Sequence, residues 1–127
     1  MQLNREVSAA NVIRAWESGR IRVGETWVSG NLIVSAQTLV DDWSAADPGK
    51  LGIDDLAAAI ELDPEIILVG TGEAVVLPDV DLIAALADRE IGLEIMTTPA
   101  ACRTYNVLVH EQRRVVAALF NTPPSSG

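Results

Sequence analysis

Apolar and polar positions divide the chain into short alternating runs, then longer runs of helical spacing mixed with solid aliphatic blocks. The β-prone runs come first: Asn11 to Glu17, Arg20 to Val23, Glu25 to Val28 and Asn31 to Ser35, separated by Ser18-Gly19, Gly24 and Ser29-Gly30. This spacing predicts a meander. In Arg20-Ile21-Arg22-Val23 two cations alternate with two aliphatics, so one face of that strand meets the core and the other meets water. Beyond Trp43 the pattern changes at Asp47-Pro48-Gly49, a turn signal. Ile53, Leu56, Ala57 and Ile60 then recur at helical spacing, with Asp54 and Asp55 in the first turn, where the helix dipole favours anions. Pro64 ends that helix. Ile66-Ile67-Leu68-Val69 is an unbroken aliphatic block, the mark of a strand covered on both faces, and Gly70-Thr71-Gly72 closes it.

A second helix is announced by Pro78-Asp79, with Asp79 as N-cap and Leu82, Ile83 and Leu86 as its apolar stripe. Gly92 ends it and Leu93 to Met96 reads as a strand. Strand, helix, strand prefers a right-handed parallel crossover, which brings the ends of both strands to one edge of the sheet. The last helix runs from Pro99 to about Glu111, with Thr98 read as N-cap and Pro99 at the first helical position, where its missing N–H is harmless. At 100° per residue, Ala101, Cys102, Tyr105, Leu108 and Val109 share an arc of about 120° that faces the sheet, while Arg103, Asn106 and His110 lie opposite. Arg114 to Phe120 is the final strand. Residues 1–8 and 121–127 read as frayed tails of a single domain spanning 1–127.

At 127 residues the chain has the size of one domain. Its apolar stretches fall far short of the ~20 residues that cross a bilayer, and Met1 to Ser8 lacks the apolar block of a secretory signal, so a cytoplasmic protein without membrane insertion is expected. Nine Lys and Arg against eighteen Asp and Glu give a net charge of −9, which repels phosphate backbones and argues against nucleic acid as a partner. The three tryptophans, Trp16, Trp27 and Trp43, all fall in the first half; an exposed one would be an anchor for a partner.

Chemistry is sparse. A single cysteine and a single histidine are too few for a structural zinc, and no cofactor motif is present. Cys102 sits on the buried stripe of its helix, about two turns from His110 and on another face, so no Cys/His pair forms within that helix. The residues supply no complete catalytic set. Gly70-Thr71-Gly72 lacks the remaining glycine of a dinucleotide fingerprint and the lysine of a phosphate loop, and reads first as a tight turn. Yet the crossover sets it beside Thr98, with Arg103 as a natural counter-charge for an anion.

Ile66 to Gly72, Gly92 to Met96, the block Ala100-Ala101-Cys102-Arg103-Thr104-Tyr105-Asn106 and Arg113-Arg114-Val115 resemble a family of small single-domain proteins, the Mth938-like domains. That family holds bacterial and archaeal proteins of unknown function and a mitochondrial assembly factor for respiratory complex I. The resemblance spans about Ser29 to Phe120, and it departs at Thr98-Pro99, where many relatives have a glycine. It implies a three-layer α/β fold in which a central mixed sheet, with the N-terminal meander and flanking helices, has its last strand antiparallel to the others. It also implies action through protein partners, a homodimer among the arrangements open to it. Two readings follow. One is a binding module for other proteins, using Arg103, Asn106 and exposed tryptophans. The other is a site for a small anionic ligand, or an enzyme, at Gly70, Thr71, Gly72 and Thr98 to Arg103. An open cleft at that edge favours the second; a filled edge beside an exposed aliphatic patch favours the first.

Overall fold

In the computed structural model, which describes residues 10–121, the strands fall into two sheets. Three form the expected meander: β1 (Ile13–Glu17), β2 (Arg20–Val23) and β3 (Thr26–Ser29), antiparallel throughout. The fourth expected strand leaves it. β4 (Leu32–Ser35) is buried on both faces and joins the larger sheet, ordered β5-β4-β8-β6-β7, with β5 (Leu39–Val40), β6 (Ile66–Gly70), β7 (Gly92–Met96) and β8 (Val115–Leu119). Between β5 and β6 lie two 3-10 turns, Pro48–Lys50 and Ile53–Leu56, and a single α-turn, α1 (Ala57–Ile60); α2 (Val80–Asp88) and α3 (Thr98–His110) link the last three strands. The helix expected across Ile53 to Ile60 is therefore half 3-10, because the Asp55 carboxylate turns back to accept the Gly52 N–H at 2.9 Å and tightens the first turn.

The sheet is mixed, as expected, but its antiparallel member is not the last strand. β8 runs parallel to β6, and β6 parallel to β7; β4 alone opposes β8. The reason lies in α3. Its thirteen residues carry the chain back along the full height of the sheet at about 1.5 Å per residue, so β8 re-enters at the same end as β6 and β7. The chain thus makes two crossovers in opposite lateral directions, β6 to β7 and β7 back past β6 to β8. With one hand for both, their helices must lie on opposite faces, and they do.

Alternation along each strand builds two cores. Leu32, Val34, Leu68, Val115, Ala117 and Leu119 face Ala101, Cys102 and Tyr105 of α3 and the inner residues Ile13, Ile21, Val23 and Val28 of the meander. Ile33, Ile67, Val69, Val116 and Ala118 face the other way, towards Leu82 and Leu86 of α2 and the segment carrying Trp43, Leu51, Leu56 and Ala59. Trp43 tilts against Phe120, ring centres 4.8 Å apart, and its indole N–H donates to the Asp55 carbonyl at 2.8 Å. Of the stripe expected on α2, Ile83 is exposed, since a nine-residue helix resting on one sheet face buries only the narrow line through Leu82 and Leu86. Asn121, expected to open the C-terminal tail, is buried and donates its backbone N–H to Asn31 Oδ1 at 2.7 Å; residues 1–8 and 122–127 lie outside the described residues.

Both long helices end alike. After α2, Glu90 N–H bonds the Ala87 carbonyl and Ile91 N–H the Leu86 carbonyl; after α3, Gln112 N–H bonds Val109 and Arg113 N–H bonds Leu108. These are Schellman closures in which the left-handed position is filled by Glu90 (φ 61°) and Gln112 (φ 63°) instead of glycine. A side chain there is strained by about 1–2 kcal/mol, partly offset by the chain entropy that glycine would lose. Gln112→Gly is accordingly expected to raise the unfolding free energy by about 0.5–1 kcal/mol, visible as a higher urea midpoint with an unchanged slope.

Candidate functional site

The aliphatic run of β6 ends at Gly70, and the turn after it meets the start of α3 at the carboxyl edge of the parallel strands. This is where α/β sheets commonly bind ligands. Here the edge is closed by side chains. Thr98, fully buried, accepts the Gly72 N–H at 2.8 Å and donates its hydroxyl to the Phe120 carbonyl at 2.7 Å, while its own N–H bonds the Gly72 carbonyl at 2.8 Å. Thr97, not Thr98, is the N-cap of α3 and accepts from Ala100 N–H at 3.3 Å; the hydroxyl of Thr98 is engaged in joining strands. Gly70 is required by this packing, since a Cβ there would lie 2.8 Å from Thr98 Cα. Gly72 adopts φ +98°, which completes the turn.

Thr71 also works inward. Its hydroxyl donates to the Ala74 carbonyl at 2.6 Å and accepts the Val76 N–H at 3.1 Å, and its N–H bonds the Met96 carbonyl. The structure thus brings Gly70, Thr71, Gly72 and Thr98 together, as the crossover predicts, with Gly72 and Thr98 bonded to each other, Gly70 to Phe120, and Thr71 to Ala74, Val76 and Met96. Two surface hollows, one beside β1 and one between Gly49–Ile53 and the start of α2, are lined by none of the four.

Arg103 and Asn106 share a helix face but not a role. Asn106 clamps the meander: its Oδ1 accepts the Ile13 N–H at 2.8 Å and its Nδ2 donates to the Ile13 carbonyl at 2.7 Å. A side-chain amide here takes the place of a neighbouring strand along the edge of β1. Tyr105 supports it, donating its buried hydroxyl to the Asn11 carbonyl at 2.8 Å. Arg113 pairs with Glu65 at 3.1 Å and Arg114 Nε donates to the Asp63 carbonyl at 3.0 Å. The Arg113 hydrogen bond, followed by the Arg114 backbone N–H, holds the Glu65 carboxyl below its ordinary range. Of the block that carries the family resemblance, most residues therefore fix the fold; Arg103 is exposed and has no hydrogen-bond or ion-pair partner among the described residues.

Cys102 is buried on the sheet-facing side of α3, and burial pushes its thiol up to about 12, against a smaller lowering by the charge of Arg103. The thiol is protonated at neutral pH and is no nucleophile. Among the described residues no group of three or more His, Cys, Asp or Glu is placed to hold a metal ion, and no helix is long and apolar enough to cross a membrane.

Sequence reasoning missed the loop between Gly72 and α2. Pro78 is buried and Val76 half-buried, while Val75 is 54% exposed, Leu77 72%, Val80 72% and Ile83 47%. The Thr71 hydroxyl holds Ala74 and Val76, so this loop is a braced presentation of apolar side chains. The available signal was Val75-Val76-Leu77, an apolar run inside a segment with no strand or helix to bury it. Trp27, at 38%, is the exposed tryptophan, and the Arg20 guanidinium covers its ring at 4.0 Å.

Residues 13–120 match the model of a family described as "Protein of unknown function (DUF498/DUF598)". The chain is 31% identical over 127 residues to the NADH dehydrogenase (ubiquinone) 1 alpha subcomplex assembly factor 3 of Homo sapiens, across 98% of this chain and 67% of that protein. It is 36% identical over 88 residues to a 13 kDa major membrane protein of Francisella tularensis subsp. holarctica, across 69% of this chain and 68% of that one. The solution structure of a Mth938-like domain from Bordetella pertussis superposes with a TM-score of 0.80 at 28% identity, covering 99% of this chain and 96% of that chain.

Two outcomes test this geometry. Thr98→Val strands the half-buried Gly72 N–H and the buried Phe120 carbonyl, and is expected to cost about 2–4 kcal/mol in urea unfolding, whereas Thr98→Ser keeps most of that stability. Cys102 is expected to resist iodoacetamide in the native protein and to react readily in guanidinium. Because its folded pKa is raised, its contribution to stability is full below the ordinary thiol value of 9.0 and is lost as pH climbs from there towards about 12.

Proposed function

We propose that this chain, which belongs to the DUF498/DUF598 family of Mth938-like domains, is a non-catalytic protein-binding module that assists assembly of a multisubunit complex. The single observation that carries the reading is the braced loop and first turn of α2, where Val75, Leu77, Val80 and Ile83 stand out from the surface beside a closed sheet edge. Exposed aliphatic side chains concentrated within nine residues are disfavoured in water unless a partner covers them. A loop held at Thr71 and Pro78 presents them with little ordering cost at association.

The reading of a small anionic ligand, or an undiscovered enzyme, at Gly70 to Gly72 and Thr98 to Arg103 has less support. The Gly72 N–H that would greet an anion is already bonded to Thr98 Oγ1, and the thiol beside Arg103 is buried and protonated. Arg103 is an exposed cation with no hydrogen-bond or ion-pair partner among the described residues, on the α3 side of the sheet, and serves as a second point of contact for a protein partner. The relative named as a complex I assembly factor supports a role in assembly, and the relative named as a membrane protein suits attachment to a membrane complex from its aqueous side. Working in the cytoplasm, a reducing compartment, agrees with a single buried thiol.

The test is affinity purification of the tagged protein from its host after mild crosslinking, read by mass spectrometry for wild type, the double variant Leu77→Ser with Val80→Ser, and Arg103→Glu. Wild type is expected to retain a reproducible set of proteins that the double variant loses and Arg103→Glu holds more weakly, all three keeping wild-type circular dichroism. Equal retention by wild type and the double variant, or retention of nothing by either, overturns the reading.

A further inference from the structure

The larger of the two hollows described above lies away from the aliphatic loop, on the meander side of the sheet. It is an open groove of about 1060 Å³ between β1 and the C-terminal half of α3, bordered by Val12, Ile13 and Arg14 on one side and by Val107 and Val109 on the other. Its charge runs against that of the molecule. The chain carries −9 overall, with twice as many acids as Lys and Arg, yet Arg14, Arg22 and Arg113 line the groove and, among the described residues, Glu111 is the only acid in its lining.

These cations differ in availability. Arg113 is committed to Glu65, whose other oxygen accepts the Arg114 N–H. Arg22 is paired at 2.8 Å with Glu25, but that carboxylate is 85% exposed, so exchanging it for another carboxylate costs little. Arg14 is exposed and has no hydrogen-bond or ion-pair partner among the described residues. Between them lies an apolar surface that includes Val107, 55% exposed. Asn106 seals the backbone of β1 at Ile13, so an occupant cannot add there as a further strand and must be read through its side chains.

We infer that this groove docks an acidic segment of a partner protein, its carboxylates on Arg14 and Arg22 and its apolar side chains on Val107 and Val109. The net charge disfavours a polyphosphate or an anionic membrane, whose extended fields would meet the eighteen acids as well as the groove. A short acidic segment feels only the charges within a screening length of about 8–10 Å, where Arg14 is unpaired and Arg22 can exchange its exposed carboxylate. The site is separate from Val75 to Ile83 and does not rest on that loop being an interface.

The experiment is a titration of the 15N-labelled full chain with a blocked peptide alternating glutamate with leucine and valine, and with the same peptide carrying glutamine for glutamate. Expected are shift changes centred on Ile13, Arg14, Val107 and His110, and affinity for the acidic peptide about tenfold above its neutral twin. Arg14→Glu and Val107→Asp should each weaken binding about tenfold, while Leu77→Ser with Val80→Ser leaves it unchanged. Equal affinity for the two peptides, shifts elsewhere, or binding insensitive to Arg14→Glu overturns the inference. So does self-association that Arg14→Glu abolishes in sedimentation, which would make the occupant a second copy, or cross-peaks in the free protein placing the chain ahead of Ala10 against Val107.

Discussion

The hydroxyl of Thr98 is the point on which the larger sheet and its longest helix depend. Through one fully buried side chain the first turn of α3 is bonded to the turn after β6 and to the exit of β8, at 2.8 and 2.7 Å. Buried hydrogen bonds of this kind stabilise modestly when made and cost much more when half made, so the three segments hold together or not at all. Gly70 follows from the same constraint: with Thr98 Cα where it is, there is no room for a Cβ. A second clamp at the far end of α3, Asn106 on Ile13 with Tyr105 on Asn11, ties the meander to the same helix. α3 is therefore anchored to the sheet near its start and to the meander beyond its midpoint, and the core between them, Ala101, Cys102 and Tyr105, is packed under both anchors.

Most of the architecture was readable where it depends on local pattern. The solid block Ile66 to Val69, the alternation of Arg20 to Val23, and the cap at Asp79 each state their own structure, and each appears where expected. What was not readable depends on distant partners or on rules with a silent residue. The segment Leu32-Ile33-Val34 looks like one more run of the meander until β8, some eighty residues later, supplies a neighbour that buries it on both faces. The direction of β8 is set by the length of α3, not by any residue of β8. The two helices end within a few residues of the expected Gly92 and Glu111, but their Schellman bonds were not readable, since Glu90 and Gln112 fill the left-handed positions in place of glycine. At Ile53 to Leu56, helical spacing was correct but a short acidic side chain tightened the turn to 3-10.

The candidate site was half legible for the same reason. That Gly70 to Gly72 and Thr98 would meet follows from topology alone, because a parallel crossover sends both to one edge. Whether they would leave a cleft does not, because that turns on one hydroxyl and on which of its neighbours claims it. Asn106 was visible as a polar residue on the outer side of a wheel, but a wheel cannot reveal a strand lying against that side. Arg103 remains exposed and unpaired among the described residues because no other element crosses its position.

Closing the carboxyl edge has a consequence for where activity can reside. In open α/β sheets that edge collects backbone N–H groups and helix N-termini, and its value as a binding site lies in their being unfulfilled until a ligand arrives. Here Thr98 Oγ1 meets the N–H of Gly72, the Thr98 N–H goes to the Gly72 carbonyl, and the Ala100 and Ala101 N–H groups are capped by Thr97. The same closure makes the following loop rigid, since Thr71, fixed by the Met96 carbonyl, in turn fixes Ala74 and Val76. Groups that serve as a cradle in other sheets of this class serve here as a bracket, and what the bracket holds out to solvent is Val75 and Leu77. On the function proposed above, recognition lies on the outer surface and not at the sheet edge.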